Sequence, residues 1–132
     1  MGANTDVLKQ GYEAYGRGDL DAATENWSDD IRWENPNAPQ LPNPGITEGK
    51  DNVRSLLMEI PNYWESFSVT PDEFIEQGDT VVVLGHSQGT AKETGKETKV
   101  PFVHVWRFSD GKANEVLLLT DTALVADTLG RL

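Results

Sequence analysis

Cysteine is absent from the 132-residue chain. Its absence excludes disulfides, thiol catalysis and cysteine-ligated zinc or iron–sulfur sites. Cations are scarce: 11 Lys and Arg stand against 22 Asp and Glu, a formal net charge of −11. A phosphate backbone or an anionic membrane surface needs the opposite balance, so neither nucleic acid nor membrane is an expected partner. No apolar run approaches the ~20 residues of a membrane span. Met1 to Asp6 contains no basic segment followed by an apolar one, so no signal peptide is read there and a cytoplasmic location is expected. No phosphate-cradling loop, dinucleotide fingerprint or metal-ligand spacing occurs, and neither a metal nor a cofactor is expected. Gly85-His86-Ser87-Gln88-Gly89 resembles a nucleophile elbow but lacks the Gly-x-Ser-x-Gly order and its strand-to-helix setting.

What remains suits a soluble globular protein, with 37% hydrophobic and 25% charged residues. The length fits one domain over residues 1–132 that buries roughly two thirds of its unfolded surface. Thr5 to Ile60 reads as mostly helical. Val7, Leu8, Gly11, Tyr12, Ala14 and Tyr15 recur at helical spacing, and Gly16 and Gly18 end that helix. Asp19 caps a short second helix with Leu20, Ala23 and Trp27 inward. Ile31 to Asn35 alternate as a strand, and the prolines between Asn35 and Gly45 predict a loop. Val53, Leu56, Leu57 and Ile60 form an amphipathic helix closed by Pro61.

The second part is β-rich. Phe67–Gln77, Thr80–Lys92, Lys96–Phe108 and Lys112–Asp121 predict a four-stranded antiparallel meander turning at Gly78-Asp79, Thr94-Gly95 and Asp110-Gly111. Asp121 or Thr122 caps a last helix with Leu124, Val125 and Leu129 on one side. The order gives an α+β domain whose helices cover one face of a curved sheet. A two-residue turn at Asp110-Gly111 pairs Phe108 with Ala113, Trp106 with Glu115, His104 with Leu117 and Phe102 with Leu119. That aromatic-rich face is the predicted interior. Val103, Val105, Val116 and Leu118 then line an apolar outer face, for which a second subunit is the simplest cover. His86 falls on that outer face, apart from His104.

Particular segments carry a resemblance that spans nearly the whole chain. They are Tyr12-Glu13-Ala14 with Gly18-Asp19-Leu20, Asp29 to Trp33, Gly78 to Val83, His104 to Lys112, and Asp121-Thr122-Ala123. The chain resembles the nuclear-transport-factor-two-like superfamily, and most of all its SnoaL-like group, which includes polyketide cyclases. The resemblance implies a cystatin-like cone, a curved antiparallel sheet wrapped around N-terminal helices with an internal pocket. It does not fix an activity, because this fold hosts isomerases, dehydratases, epoxide hydrolases, cyclases and binders. Matched to ketosteroid isomerases, the aspartate base falls on Asn35, the oxyanion-hole aspartate on His104 and the tyrosine near Gly11 or Tyr12. Two of the three residues change type. Matched to limonene-type epoxide hydrolases, the last-strand aspartate is Asp121 and the aromatic-x-Asn pair is Trp33 and Asn35, but the Arg-x-Asp falls on Gly85 and Ser87. SnoaL-type cyclases fit better, because their acid/base aspartate ends the last strand as Asp121 does.

The expected catalytic set is therefore Asp121, His104 and Asn35. Asp121 at the inner end of a sheet would be partly desolvated and suited to proton transfer, or would simply cap the last helix. His104 among Phe102 and Trp106 would donate to a carbonyl, or be a satisfied core histidine. Asn35 would orient a substrate oxygen, or form a turn with Pro36. Trp33, Tyr12, Tyr15, Trp64, Phe102, Trp106, Leu117 and Leu119 are the expected ligand wall, core packing being the alternative for the aromatics. Glu34, Glu76 and Glu115 read as surface, with Glu115 a possible second inner carboxylate. The expected partner is a small, apolar, carbonyl-bearing cyclic molecule. The expected chemistry is cofactor-free isomerisation, cyclisation or dehydration by proton transfer next to that carbonyl, the alternative being a non-catalytic ligand-binding module. A homodimer through the outer sheet face completes the expectation.

Overall fold

The computed structural model of the chain describes residues 2–43 and 45–132. Helix α1 (Ala3–Gly16) and the short α2 (Leu20–Thr24) lead into strand β1 (Trp27–Asn35). A proline-rich loop, whose Pro44 lies outside the described residues, connects to β2 (Gly45–Glu48). Then come α3 (Lys50–Met58), α4 (Ile60–Tyr63), the long strands β3 (Trp64–Gln77), β4 (Thr80–Ala91) and β5 (Glu97–Ser109), β6 (Lys112–Thr120) and α5 (Thr122–Thr128). Among the described residues no helix is long and apolar enough to cross a membrane.

The helices begin where the polar signals allow. Asp19 accepts from the Ala22 amide at 3.0 Å and starts α2. α1 lacks a cap from its own sequence, and Glu76 of β3 supplies one: its Oε1 accepts from the Thr5 amide at 2.8 Å and from the Thr5 hydroxyl at 2.5 Å. Glu76, read as surface, is thus half-buried and ties α1 to the sheet. Pro61 does not close the preceding helix as expected. It stands in the first turn of α4, where its missing N–H costs nothing.

The sheet is larger than a four-stranded meander. Six strands run in the order β2-β1-β6-β5-β4-β3, with β1 parallel to β6 and every other pair antiparallel. β1 also starts four residues early, so Trp27 is a strand residue rather than part of the α2 face. Tertiary packing explains this: the Trp27 ring lies 5.5 Å from Trp33 and 6.0 Å from Trp106, centroid to centroid. Asp110 and Gly111 both take positive φ, 51° and 79°, as a tight two-residue hairpin turn requires. The β4–β5 connection is longer than two residues, with the Ala91 amide donating to Lys96 O at 2.8 Å. The resulting slip is an even number, so His86 keeps its outward face and meets Asp72 Oδ2 at 2.9 Å.

One expected register is overturned. Phe108 pairs with Ala113, but Arg107 then pairs with Glu115, Trp106 with Val116, Val105 with Leu117, His104 with Leu118 and Val103 with Leu119. Asn114 is an extra residue in β6, a β-bulge directly after the turn. An insertion of one exchanges the two faces for everything after it. Val116 and Leu118, expected outside, pack into the core, while Leu117 and Leu119 join Val103 and Val105 on the outer face. Glu115 is likewise outside, 3.6 Å from Arg107 and 3.8 Å from Arg32.

The interior has two apolar centres. One joins Leu8, Trp27, Ile31, Val53, Phe102, Trp106 and Val116; the other joins Leu41, Trp64, Ala91, Ala126 and Leu129. The register has a measurable consequence. Val116→Ala should cost about 2 kcal/mol in urea denaturation, because it empties a fully enclosed site. Leu119→Ala, at a side chain 42% exposed in the single chain, should cost less than Val116→Ala despite losing more atoms. The unbulged register predicts the reverse order.

Candidate functional site

Between the two apolar centres lies a cavity of about 540 Å³, within the roughly 300–1,000 Å³ range of small-molecule sites. α1 and α3 form one wall, the inner faces of β3 to β6 another, and α5 with the loop around Leu41 closes one end. Most of the wall is apolar or aromatic. β5 supplies the central element, because alternation along the strand turns Phe102, His104 and Trp106 to the same side. Tyr12 reaches this row from α1.

Three of these side chains form a hydrogen-bonded chain. Trp106 Nε1 donates to Tyr12 Oη at 3.0 Å, and Tyr12 Oη lies 2.7 Å from His104 Nδ1. The direction of the second bond follows from the inventory of donors. Indole N–H can only donate, so Tyr12 oxygen is already an acceptor there. Its own proton has one partner on hand, Nδ1, which therefore accepts. The neutral imidazole then carries its proton on Nε2, which has no hydrogen-bond partner among the described residues. His104 thus offers one N–H to the cavity it lines.

Burial fixes this state. The Tyr12 phenol is pushed well above its usual value by loss of solvent, only partly offset by the Trp106 N–H, so it stays protonated. Burial lowers the His104 pKa to about 3, so the imidazole stays neutral. Tyr15 is raised by burial as well. The His104 ring is stacked on Phe102, with centroids 3.9 Å apart and planes 14° from parallel.

The other expected wall residues divide. Trp33, Asn35, Tyr15 and Trp64 border the cavity with Tyr12, Phe102 and Trp106. Leu117 does not, and Leu119 borders it from an outward register position. Asp121 is not in the cavity. It is exposed and its Oδ1 caps α5, accepting from the Leu124 amide at 3.1 Å. The Asn114 bulge is the cause: with Leu118 and Thr120 inward, the next residue points out. The carboxylates that border the cavity, Glu13, Glu25 and Glu59, are exposed residues. Among the described residues no three His, Asp or Glu side chains gather as metal ligands. Ser87, Thr98 and Leu118 were missed from the wall. Ser87 was findable, since it continues the inward phase of Val81 and Val83; Leu118 was hidden by the bulge.

With this geometry in hand, the SnoaL-like domain profile matches residues 8–116. The chain belongs to the SnoaL-like family. An NTF2-like protein of unknown function from Burkholderia pseudomallei K96243 is 32% identical, with a TM-score of 0.88 and 98% of each chain covered. TerC, solved after co-crystallisation with polyporic acid, is 25% identical with a TM-score of 0.90, covering 98% of this chain and 99% of its own. A protein of unknown function with a cystatin-like fold from Xanthomonas campestris, 24% identical, has a TM-score of 0.83 over 97% of both chains. No curated protein matches the sequence. The cystatin-like architecture implied by the sequence resemblance is therefore present, as helices against a curved, open, six-stranded mixed sheet. Within this SnoaL-like fold, the polar end of the cavity rests on the Trp106–Tyr12–His104 chain rather than on a carboxylate.

The buried imidazole makes stability depend on pH with a definite sign. Its pKa is about 3 folded against 6.5 in the unfolded chain, so the unfolded state takes up the proton first. The contribution is fully present above pH 6.5 and is lost as pH falls towards 3. Between pH 7 and pH 5, wild type should lose about 2 kcal/mol more than His104→Gln, measured by urea denaturation at each pH. Equal losses would show that His104 titrates normally in the fold.

Proposed function

We propose that this SnoaL-like protein binds a small, largely apolar cyclic molecule by its carbonyl oxygen, which accepts a hydrogen bond from His104 Nε2. The observation that carries the reading is the directed chain Trp106 → Tyr12 → His104, which engages the indole and phenol hydrogens and leaves the imidazole Nε2–H free. A ligand group placed there must be able to accept, as a ketone, a quinone or an ionised enol does. An ammonium or an N–H donor would face another donor and lose its hydration without return. Trp33 and Phe102 supply flat apolar surface, and Asn35 supplies a polar group on the β1 side. The likeness to TerC, which was co-crystallised with polyporic acid, supports a small organic ligand.

A catalytic reading uses the same donor. A neutral N–H aimed at a carbonyl also stabilises the enolate formed when an adjacent carbon loses a proton, and such a donor is worth roughly 3–4 kcal/mol of barrier. This is the electrophilic half of an isomerase, cyclase or dehydratase. The buried wall holds no carboxylate for the other half, so binding is the reading the geometry supports best. Neutral His104, with its low pKa, acts here as a donor rather than as a general acid.

The binding reading is tested by calorimetric titration with polyporic acid and a panel of planar aromatic ketones, each paired with its deoxygenated analogue. His104→Phe should weaken the carbonyl compounds about tenfold, the worth of one neutral hydrogen bond, and leave the analogues unchanged. Equal affinities for the two proteins would overturn it.

We further propose that a second copy covers the outer face of the sheet. Val103, Val105, Leu117 and Leu119 share that face with Ile75, which is 47% exposed, and together they make a contiguous apolar patch for a second copy to cover. Sedimentation at micromolar concentration should give a dimer for wild type and a monomer for Leu117→Glu. A wild-type monomer would overturn this.

A further inference from the structure

The segment Gly85-His86-Ser87-Gln88-Gly89 failed as a nucleophile elbow, yet it places two glycines on the cavity side of the middle of β4. Glycine inside a strand weakens it, and its presence there usually marks a close approach by something else. Neither glycine has positive φ, so backbone freedom is not the reason. Space is. A Cβ on Gly85 would first meet the Thr70 carbonyl oxygen, and would then lie 2.5 Å from Phe102 Cζ and 2.9 Å from Phe102 Cε2. Gly89 stands in the same relation to Trp64 and Phe67, with a Cβ at 3.0 and 3.1 Å from their rings.

Gly85 pairs with Phe102 across β4 and β5, so the ring lies over the backbone directly opposite it. His104 is stacked on Phe102, centroids 3.9 Å apart, and the Tyr12 ring lies 9° from parallel to His104. The contacts run from the Gly85 backbone to the phenyl and from the phenyl to the imidazole. Raising the first of these by one methyl group moves the others, because packed interiors hold no slack for a displaced ring.

We propose that Gly85 is a positioning residue for the cavity: its missing side chain is the seat of Phe102, and the seated ring sets the plane in which His104 presents its Nε2 proton. This rests on the reading of His104 as the ligand's donor. It extends that reading to a residue that touches no ligand. A larger residue at 85 would lift Phe102 towards the cavity and turn the imidazole away from Tyr12.

The test is nuclear magnetic resonance of ¹⁵N-histidine-labelled protein, with Gly85→Ala, Phe102→Leu and the double variant. In wild type at pH 7, His104 should show an unprotonated Nδ1, a protonated Nε2 and ring protons shifted upfield by the phenyl face. Gly85→Ala should shift those protons downfield and mix the two tautomers. Gly85→Ala with Phe102→Leu, in which the ring that needs the seat is gone, should regain the single Nε2–H tautomer without the upfield shift. A folded Gly85→Ala with unchanged His104 signals overturns the proposal. If Gly85→Ala does not fold, folding and a single tautomer in the double variant support it. A double variant that also fails to fold assigns the glycine to the Thr70 carbonyl alone and overturns it. All these readouts come from unliganded protein. A His104→Phe variant that binds carbonyl compounds normally would instead refute the donor reading and leave the seating result standing.

Discussion

Asn114 has no partner across the β5–β6 hairpin, and the face of each later residue in β6 follows from that. Because strand side chains alternate, an insertion of one residue is a reversal rather than a small adjustment. It turns Val116 and Leu118 into the interior, where Val116 also pairs with Trp33 of β1. It carries Leu117 and Leu119 out. It leaves Asp121 at the surface, where its carboxylate starts α5. The end of the cavity nearest α5 is therefore closed by a helix whose capping group belongs to solvent, and the buried wall is left without a carboxylate.

That loss of a carboxylate shapes the electrostatics of the site. An ionised group in an apolar hollow would need a partner or would take up a proton. The chain avoids the problem by using neutral groups throughout: an indole, a phenol and an imidazole, each satisfying the next. Burial keeps the phenol protonated and the imidazole uncharged, so the direction of the chain is set by desolvation as much as by geometry. Of that chain, a single N–H remains for a ligand, on a ring stacked against Phe102. The packing beneath it, down to the bare backbone at Gly85, keeps that N–H in one orientation.

The residues named from sequence show where reading a chain works and where it stops. His104, Phe102 and Trp106 were placed on one face because alternation within a single strand is local. His86 was placed on the opposite face although the β4–β5 turn was misjudged, since the slip was even. Leu117, Leu119 and Asp121 were misplaced by a slip that was odd. Helical spacing places Trp27 on the α2 face, because nothing near it in sequence reveals that its neighbours are Trp33 and Trp106. Glu76 read as surface because its partner, the amide of Thr5, lies 71 positions away.

By itself the sequence determined the α+β class, the helix start at Asp19, another at Asp121 or Thr122, and the tight turn at Asp110-Gly111, because each depends on short-range patterning of residue types. It also determined that β5 presents an aromatic row with a histidine in it. Only the tertiary structure decided that β1 joins the sheet parallel to β6, that Asn114 is bulged, and that Tyr12 meets both Trp106 and His104. These outcomes follow from how distant segments share one enclosed volume, where the cost of an empty space or an unpaired polar group is felt across the whole fold rather than along the chain.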